Sequence, residues 1–306
     1  MERITRTYGA IILAMVIWSF SFIWFKIANE VYRPMTIVYL RLFLSVMILS
    51  LFLWITGRFE KIKRSDRKYF LLLAFCQPFV YFIGESHGLT YVTSTMGSVI
   101  ISTVPIFAAI GGWIFFRERL KTINYLGIII SFTGVLVFIL NRDGSLSFDL
   151  RGLLLLFLAV FSAVGYTLIL NKLAGSYNPI YIVNVQNIIG LILFIPVIMI
   201  SEVKHLNEWT FDTRSFSAII KLAIFASSGA FILFGFAVRK LGVSRSSVFS
   251  NCIPVFTALF AYFILNEVLT FQKLTGMLVV IAGLFLSQAN KKQKRHDREF
   301  LAGRTG

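Results

Sequence analysis

Apolar residues in this chain run in long unbroken stretches. They do not alternate with polar ones at the period of a strand or of an amphipathic surface helix. A helix needs about 20 apolar residues to cross the hydrocarbon of a bilayer. Ten stretches fit, at roughly 8–28, 35–55, 68–89, 95–116, 123–140, 151–171, 179–200, 215–238, 244–265 and 271–289. Charged or turn-forming loops separate most of them, including Gly57–Lys68, Asn141–Ser147 and Glu202–Arg214. Only Arg117–Lys121 and Asn266–Thr270 divide the close pairs 4/5 and 9/10. The first stretch, Tyr8 to Ala28, has no small-x-small cleavage site before the next and reads as a retained helix. The pattern predicts an all-α polytopic membrane protein.

A second pattern lies on top of the first. Ser98–Phe138 and Ser247–Ser287 align without gaps at an offset of 149. That offset pairs Pro105 with Pro254, Glu118 with Glu267, Leu120 with Leu269, Gly127 with Gly276 and Gly134 with Gly283. Upstream, an offset of 145 pairs Pro34 with Pro179 and Arg41 with Gln186. Five spans per repeat is an odd number, so the second copy must enter the membrane inverted. The expected organisation is ten helices as two inverted five-helix repeats, 1–145 and 146–290, then a basic cytoplasmic tail, 291–306.

Composition agrees. The 306 residues are 57% hydrophobic and 14% charged, against about 25% charged in a soluble domain. Mean hydropathy is +0.80. The net charge of +16 does not indicate nucleic acid, because the basic residues sit in short loops and form no stripe. With the N-terminus inside, 21 of the 30 Lys and Arg fall in inner segments and 8 in outer ones. The positive-inside bias therefore predicts both termini in the cytoplasm of the cell (inner) membrane. Cys76 and Cys252 lie in apolar spans, and His87, His205 and His296 are scattered, so no disulfide, metal or cofactor is implied.

Polar residues inside the spans are the candidate chemistry. Ser94, Ser98 and Ser102 recur at i, i+4, i+8 before Pro105, and Ser247 and Asn251 repeat two of these positions before Pro254. One reading is a polar cavity wall shared by both halves; the other is a kinked helix whose hydroxyls bond its own backbone. Arg41 lies on the order of 10 Å inside span 2 at the helical rise of about 1.5 Å per residue. Glu85 sits at comparable depth in span 3, and an unpaired charge there costs at least about 2.5–3.5 kcal/mol. The two are expected to pair, directly or through water. Their counterparts are Gln186 and Phe234, so the symmetry breaks here, and Glu85 is a candidate proton site or half of a static ion pair.

Lys26 is expected to snorkel, and His87 to be solvated near a helix end. Glu118 and Glu267 end spans 4 and 9 and are read as latches serving the N-terminus of the next helix, with gating as the alternative. Gly84 and Gly88, and the face of Gly127, Ser131 and Gly134, read as packing surfaces. Trp18, Phe22, Trp24 and Tyr166 could stack on a flat ligand or face lipid.

The pattern resembles the drug/metabolite transporter superfamily, specifically ten-helix EamA-type proteins. The resemblance rests on Trp18-Ser19-Phe20-Ser21-Phe22, Arg41, Pro105 and Pro254, Arg117-Glu118-Arg119-Leu120, Asn266-Glu267-Val268-Leu269 and the glycines that follow. It covers about 8–289. It implies a central cavity lined by spans 1, 3, 4, 6, 8 and 9, with spans 5 and 10 peripheral. Gly84-Glu85-Ser86-His87-Gly88 is not part of the general pattern. The expected function is a secondary transporter exporting a small, amino-acid-like metabolite by alternating access, with proton exchange as the candidate coupling. No Walker-type loop is present to argue for ATP drive. The alternatives are an uptake permease and, more remotely, an intramembrane enzyme or receptor. No enzyme is expected: there is no HExxH or GxSxG, and Glu85 and His87 point to different helix sides. The expected partners are a small-molecule substrate and the lipid bilayer. Trp18, Arg41, Glu85, Ser98, Ser102, Tyr166 and Asn251 are the expected cavity residues, and Pro105, Pro254, Glu118 and Glu267 the structural or gating ones.

Overall fold

The computed structural model describes residues 2–107, 110, 122–139, 149–202, 204, 210–242, 246–247 and 249–288. Glu118 with its Arg117–Lys121 segment, the Asn141–Ser147 loop, His205 and the basic tail lie outside the described residues. Among the described residues all regular structure is helical. Six helical segments are long and apolar enough to cross a membrane: Arg6–Asn29, Pro34–Ile55, Arg64–Tyr91, Leu150–Ala174, Pro179–Ser201 and Thr213–Leu241. Four shorter apolar segments, Ser94–Phe107, Thr122–Val137, Phe249–Leu265 and Phe271–Ser287, fall where spans 4, 5, 9 and 10 are predicted.

The helices are α1 (Glu2–Asn29), α2 (Pro34–Ile55), α3 (Arg67–Ala74), α4 (Tyr81–Tyr91), α5 (Ser94–Ile101) and α6 (Thr122–Ile139). They continue as α7 (Leu150–Ala174), α8 (Pro179–Ser201), α9 (Thr213–Lys221), α10 (Phe231–Leu241), α11 (Ile253–Leu265) and α12 (Phe271–Gln288). Their starts are written locally. The side chains of Asp149, Asn178 and Asp212 accept from Arg151 N, Ile180 N and Ser215 N at 2.8, 2.9 and 2.7 Å. Such caps take up helix N–H groups that have no carbonyl four residues back. Pro34 and Pro179 open α2 and α8, where a missing N–H does no harm.

Four spans are interrupted. A π-helical segment, Phe75–Val80, joins α3 to α4, and another, Leu222–Ala230, joins α9 to α10. The first holds Pro78 and an extended Gln77, at φ −144° and ψ 119°. Ser162 Oγ of α7 donates to Cys76 O within it, at 2.5 Å. In the second, Ser228 Oγ donates to Ala223 O at 2.8 Å. Irregular backbone inside a span persists where neighbours accept or donate in this way. Spans 4 and 9 are broken ahead of their prolines. Ser102 and Thr103 form a turn, and helix resumes at Val104 with Pro105 in its first turn. A short 3-10 stretch, Phe249–Cys252, precedes α11, whose second residue is Pro254. Proline cannot donate to the previous turn, so the chain restarts a helix around it.

The packing is by close pairs. Helix α2 lies along α8, α4 along α7, α5 along α11 and α6 along α12, while α1 lies along α9, α10 and α11. Glycine makes the tightest approaches. A Cβ on Gly134 of α6 would stand 2.5 Å from Val280 N of α12, and one on Gly84 of α4 2.5 Å from Leu155 O of α7. Without Cβ atoms the backbones come together and dispersion contacts multiply. The bundle keeps polar side chains inside: Arg41, Asn184, Gln186 and Asn251 are all buried. Large apolar residues such as Trp54, Met199 and Phe263 face outward, as a lipid-facing perimeter requires.

Candidate functional site

A cavity of about 100 Å³ opens among helices from both halves of the chain. From α1 come Trp18, Ser21 and Phe22, and from α2 comes Arg41. Gln77, Tyr81, Phe82 and Glu85 face it from the interrupted third span. Ala163, Tyr166 and Thr167 of α7 close one side, with Phe231 and Phe234 of α10 beside them. Ser247, Ser250 and Ile253 complete the wall at the break ahead of Pro254.

The aromatic part of this wall is ordered by ring contacts. The Trp18 ring meets Phe231 edge to face, centroids 5.2 Å apart, and lies at the same distance from Phe234. Tyr166 meets Phe231 at 6.0 Å and 86°. Its hydroxyl lies beside Gln186 without closing a hydrogen bond of ordinary geometry. Such T-shaped pairs hold ring faces in fixed directions.

The charged part is built from three helices. Arg41 Nε donates to Ser227 Oγ at 2.8 Å, and its guanidinium sits 4.3 Å from the centre of the Phe82 ring. Glu85 Oε1 accepts from Tyr81 Oη at 2.8 Å. Among the described residues Arg41 and Glu85 close no direct ion pair, though each lies within electrostatic reach of the other. A buried polar network supports Arg41 from behind. Asn187 Nδ2 donates to Ser45 Oγ at 2.9 Å and to Ser227 O at 3.2 Å. Ser45 and Ser228 share a 2.7 Å hydroxyl pair.

Trp18, Arg41, Glu85 and Tyr166 are thus brought together. Ser98, Ser102 and Asn251 are buried outside the lining. Ser98 Oγ donates to Thr95 O and Ser102 Oγ to Val99 O, both at 2.7 Å. The Asn251 amide closes no hydrogen bond with the described residues. The hydroxyl lining comes instead from Ser21, Thr167, Ser247 and Ser250. Gln77, Tyr81, Ser45, Asn187 and Ser227 were missed in the sequence. A signal existed: three amides in four residues, at Asn184, Gln186 and Asn187, are an anomaly inside an apolar span.

A second, open cavity of about 480 Å³ lies where α1, α4, α5 and α11 end or begin. Lys26 Nζ donates there to Leu89 O at 2.5 Å and Val92 O at 2.6 Å, taking up carbonyls at the end of α4. Glu267 Oε1 accepts from Ser94 N at 2.8 Å, and Oε2 from Thr95 N at 3.2 Å and Thr95 Oγ1 at 2.8 Å. Glu267 therefore serves a helix N-terminus, but that of α5 in the other half of the chain and not the helix that follows it. The left-handed Asn266, at φ 53°, turns the chain out of α11 ahead of it. Among the described residues no three His, Cys, Asp or Glu side chains gather into a metal cluster.

The model of the EamA-like transporter family matches residues 5–140 and again 150–288. The chain belongs to the EamA-like transporter family. An uncharacterized transporter of Archaeoglobus fulgidus is 26% identical over 293 residues, covering 94% of this chain and 99% of that protein. A second from the same organism is 29% identical over 278 residues, covering 90% and 97%. The uncharacterized transporter YetK of Bacillus subtilis is 26% identical over 254 residues, covering 81% and 76%. One solved crystal structure of a protein superimposes with a TM-score of 0.69 at 12% identity, over 93% of this chain and 98% of that one, and shares its fold. The chain is an integral multi-pass membrane protein of a transporter family.

Proposed function

We propose that this chain is a ten-span secondary transporter that exports a small amino-acid-like metabolite by alternating access, with proton exchange at Glu85. Both termini are cytoplasmic in the cell (inner) membrane. The spans form inverted repeats, 1–145 and 146–290, ahead of the cytoplasmic tail 291–306. The packing pairs support the inversion. Exchanging span n with span n+5 maps the pairs 2–7, 4–9 and 5–10 onto themselves and turns 3–6 into 8–1. The π-helical interruptions also fall at matching places, Phe75–Val80 and Leu222–Ala230, at the offset of 149.

One observation carries the function: a cavity walled by both halves holds a buried arginine and a buried carboxylate beside aromatic rings. A site at the interface of two repeats is reached alternately from each side when one repeat rocks against the other. Trp18 and Tyr166 supply ring surface to the substrate, and Arg41 and Glu85 its charge partners. Pro105 and Pro254 place the helix breaks, and Glu267 latches one end. Ser98, Ser102 and Asn251 shape the cavity from behind its lining.

The test is flux in sealed proteoliposomes with an imposed pH gradient. Wild type moves its substrate when driven by the gradient and exchanges it without one. Glu85→Gln keeps exchange and loses the pH-driven component. Unchanged pH-driven flux in that variant would remove Glu85 from the coupling.

A further inference from the structure

Arg41 enters the cavity already held from both halves of the molecule. Its Nε is committed to Ser227 Oγ, and its flat face to Phe82. That leaves the fork of a guanidinium, four N–H donors on two Nη atoms, closing no hydrogen bond with the described residues. The side chain is 3% exposed and lines the cavity. A nearly buried cation whose fork opens only into this small cavity has few partners there and favours an anionic one. The matching partner is a planar group with two oxygens, which accepts both parallel hydrogen bonds. A dianionic phosphate would meet the Glu85 carboxylate in the same space; a carboxylate with a neutral or cationic neighbour group does not. The rest of the wall is ring surface from Trp18, Phe231 and Tyr166.

We propose that Arg41 is the carboxylate anchor of this cavity and that its ligand is a small carboxylate with an apolar or aromatic body. Ser227 is a positioning residue: it locks Nε, and so sets the plane in which the fork faces the cavity. Asn187 fixes the Ser227 backbone from α8, so the anchor on span 2 is aimed by spans 7 and 8. The inference rests on the reading of this cavity as the substrate site.

The probes are L-phenylalanine and 2-phenylethylamine, which share ring and amine and differ in the carboxylate. Each is titrated calorimetrically into the purified full chain in lipid nanodiscs. L-phenylalanine binds at least about tenfold tighter than the amine, as expected for charge-assisted hydrogen bonds in a buried site. Arg41→Gln removes that preference, and Arg41→Lys, with charge but no fork, restores part of it. Ser227→Ala keeps Arg41 and narrows the preference several-fold, while the weak binding of the amine does not change. A purely structural loss would weaken both probes alike. Equal affinity for the two probes in wild type, or no binding of either, overturns the anchor. So does an unaltered preference in Ser227→Ala, which decides the matter even where Arg41→Gln fails to fold. Vesicles that move 2-phenylethylamine as readily as L-phenylalanine would keep the transport reading and still remove the anchor.

Discussion

Glu267 joins the end of span 9 to the start of span 4, and this joint yields a number. Its carboxylate takes Ser94 N, Thr95 N and Thr95 Oγ1 at 2.8, 3.2 and 2.8 Å. The first two are orphan donors of an eight-residue helix, whose third N–H, that of Met96, goes to the Thr93 Oγ1 cap at 3.3 Å. A hydrogen bond to a charged group contributes about 1.5–3 kcal/mol and a carboxylate at a helix N-terminus about 0.3–1 kcal/mol. Glu267 is half-buried and borders an open cavity, so water competes and the sum is discounted. Glu267→Ala is expected to lose roughly 2 kcal/mol. A double-mutant cycle with Thr95→Val isolates the joint. Its coupling should be about 1 kcal/mol, within the 0.5–3 kcal/mol range for residues in contact. The assay is unfolding in mixed detergent micelles followed by helical circular dichroism. Additive single losses, within about 0.3–0.5 kcal/mol, would refute the joint between the two halves.

Three further outcomes are expected. Gly134→Ala would push a methyl to 2.5 Å from Val280 N and 2.9 Å from Gly276 O, so α6 and α12 must part, with about 1–3 kcal/mol lost on thermal unfolding; an unchanged midpoint would contradict that packing. Asn187→Ala breaks the network behind Arg41 and leaves Ser45 and Ser227 short of a partner, lowering stability by about 1–3 kcal/mol; a midpoint equal to wild type would show the network to be idle. The Ser215 backbone N–H, and then its side chain, hold the Asp212 carboxyl below the usual carboxylate range. A depressed folded value stabilises above the unfolded pKa of about 3.9 and is lost as pH falls through the folded one. Wild type should therefore lose more stability than Asp212→Asn on acidification below about pH 4, and parallel curves would remove the cap.

The length of each unbroken apolar stretch alone located the segments, because the bilayer demands length and apolarity of each span separately. The helix starts are written in near neighbours: Asn178 and Asp212 cap helices a few residues away, and Pro179 opens one. Arg41 and Glu85 announced themselves as charges where charge is costly, and Trp18 and Tyr166 as rings in polar-flecked spans. Other features depended on neighbours distant in the chain. Ser98 and Ser102 share a helical stripe with Ser94, yet their hydroxyls go to their own backbone. Spacing fixes the side of a helix and says nothing of what stands opposite.

Ser227 shows the limit most plainly. A serine in an apolar run is unremarkable until the π-helical turn of span 8 brings it against Arg41 of span 2. Glu267 was legible as a carboxylate that serves a helix N-terminus, but which helix was not, because α5 lies in the other half of the chain. Sequence determined which segments are apolar and helical and that Arg41 and Glu85 lie inside them, since these depend on the residue and its solvent. Tertiary structure alone decided which charge meets which donor, because hydrogen bonds act over about 3 Å and those neighbours lie more than a hundred residues apart.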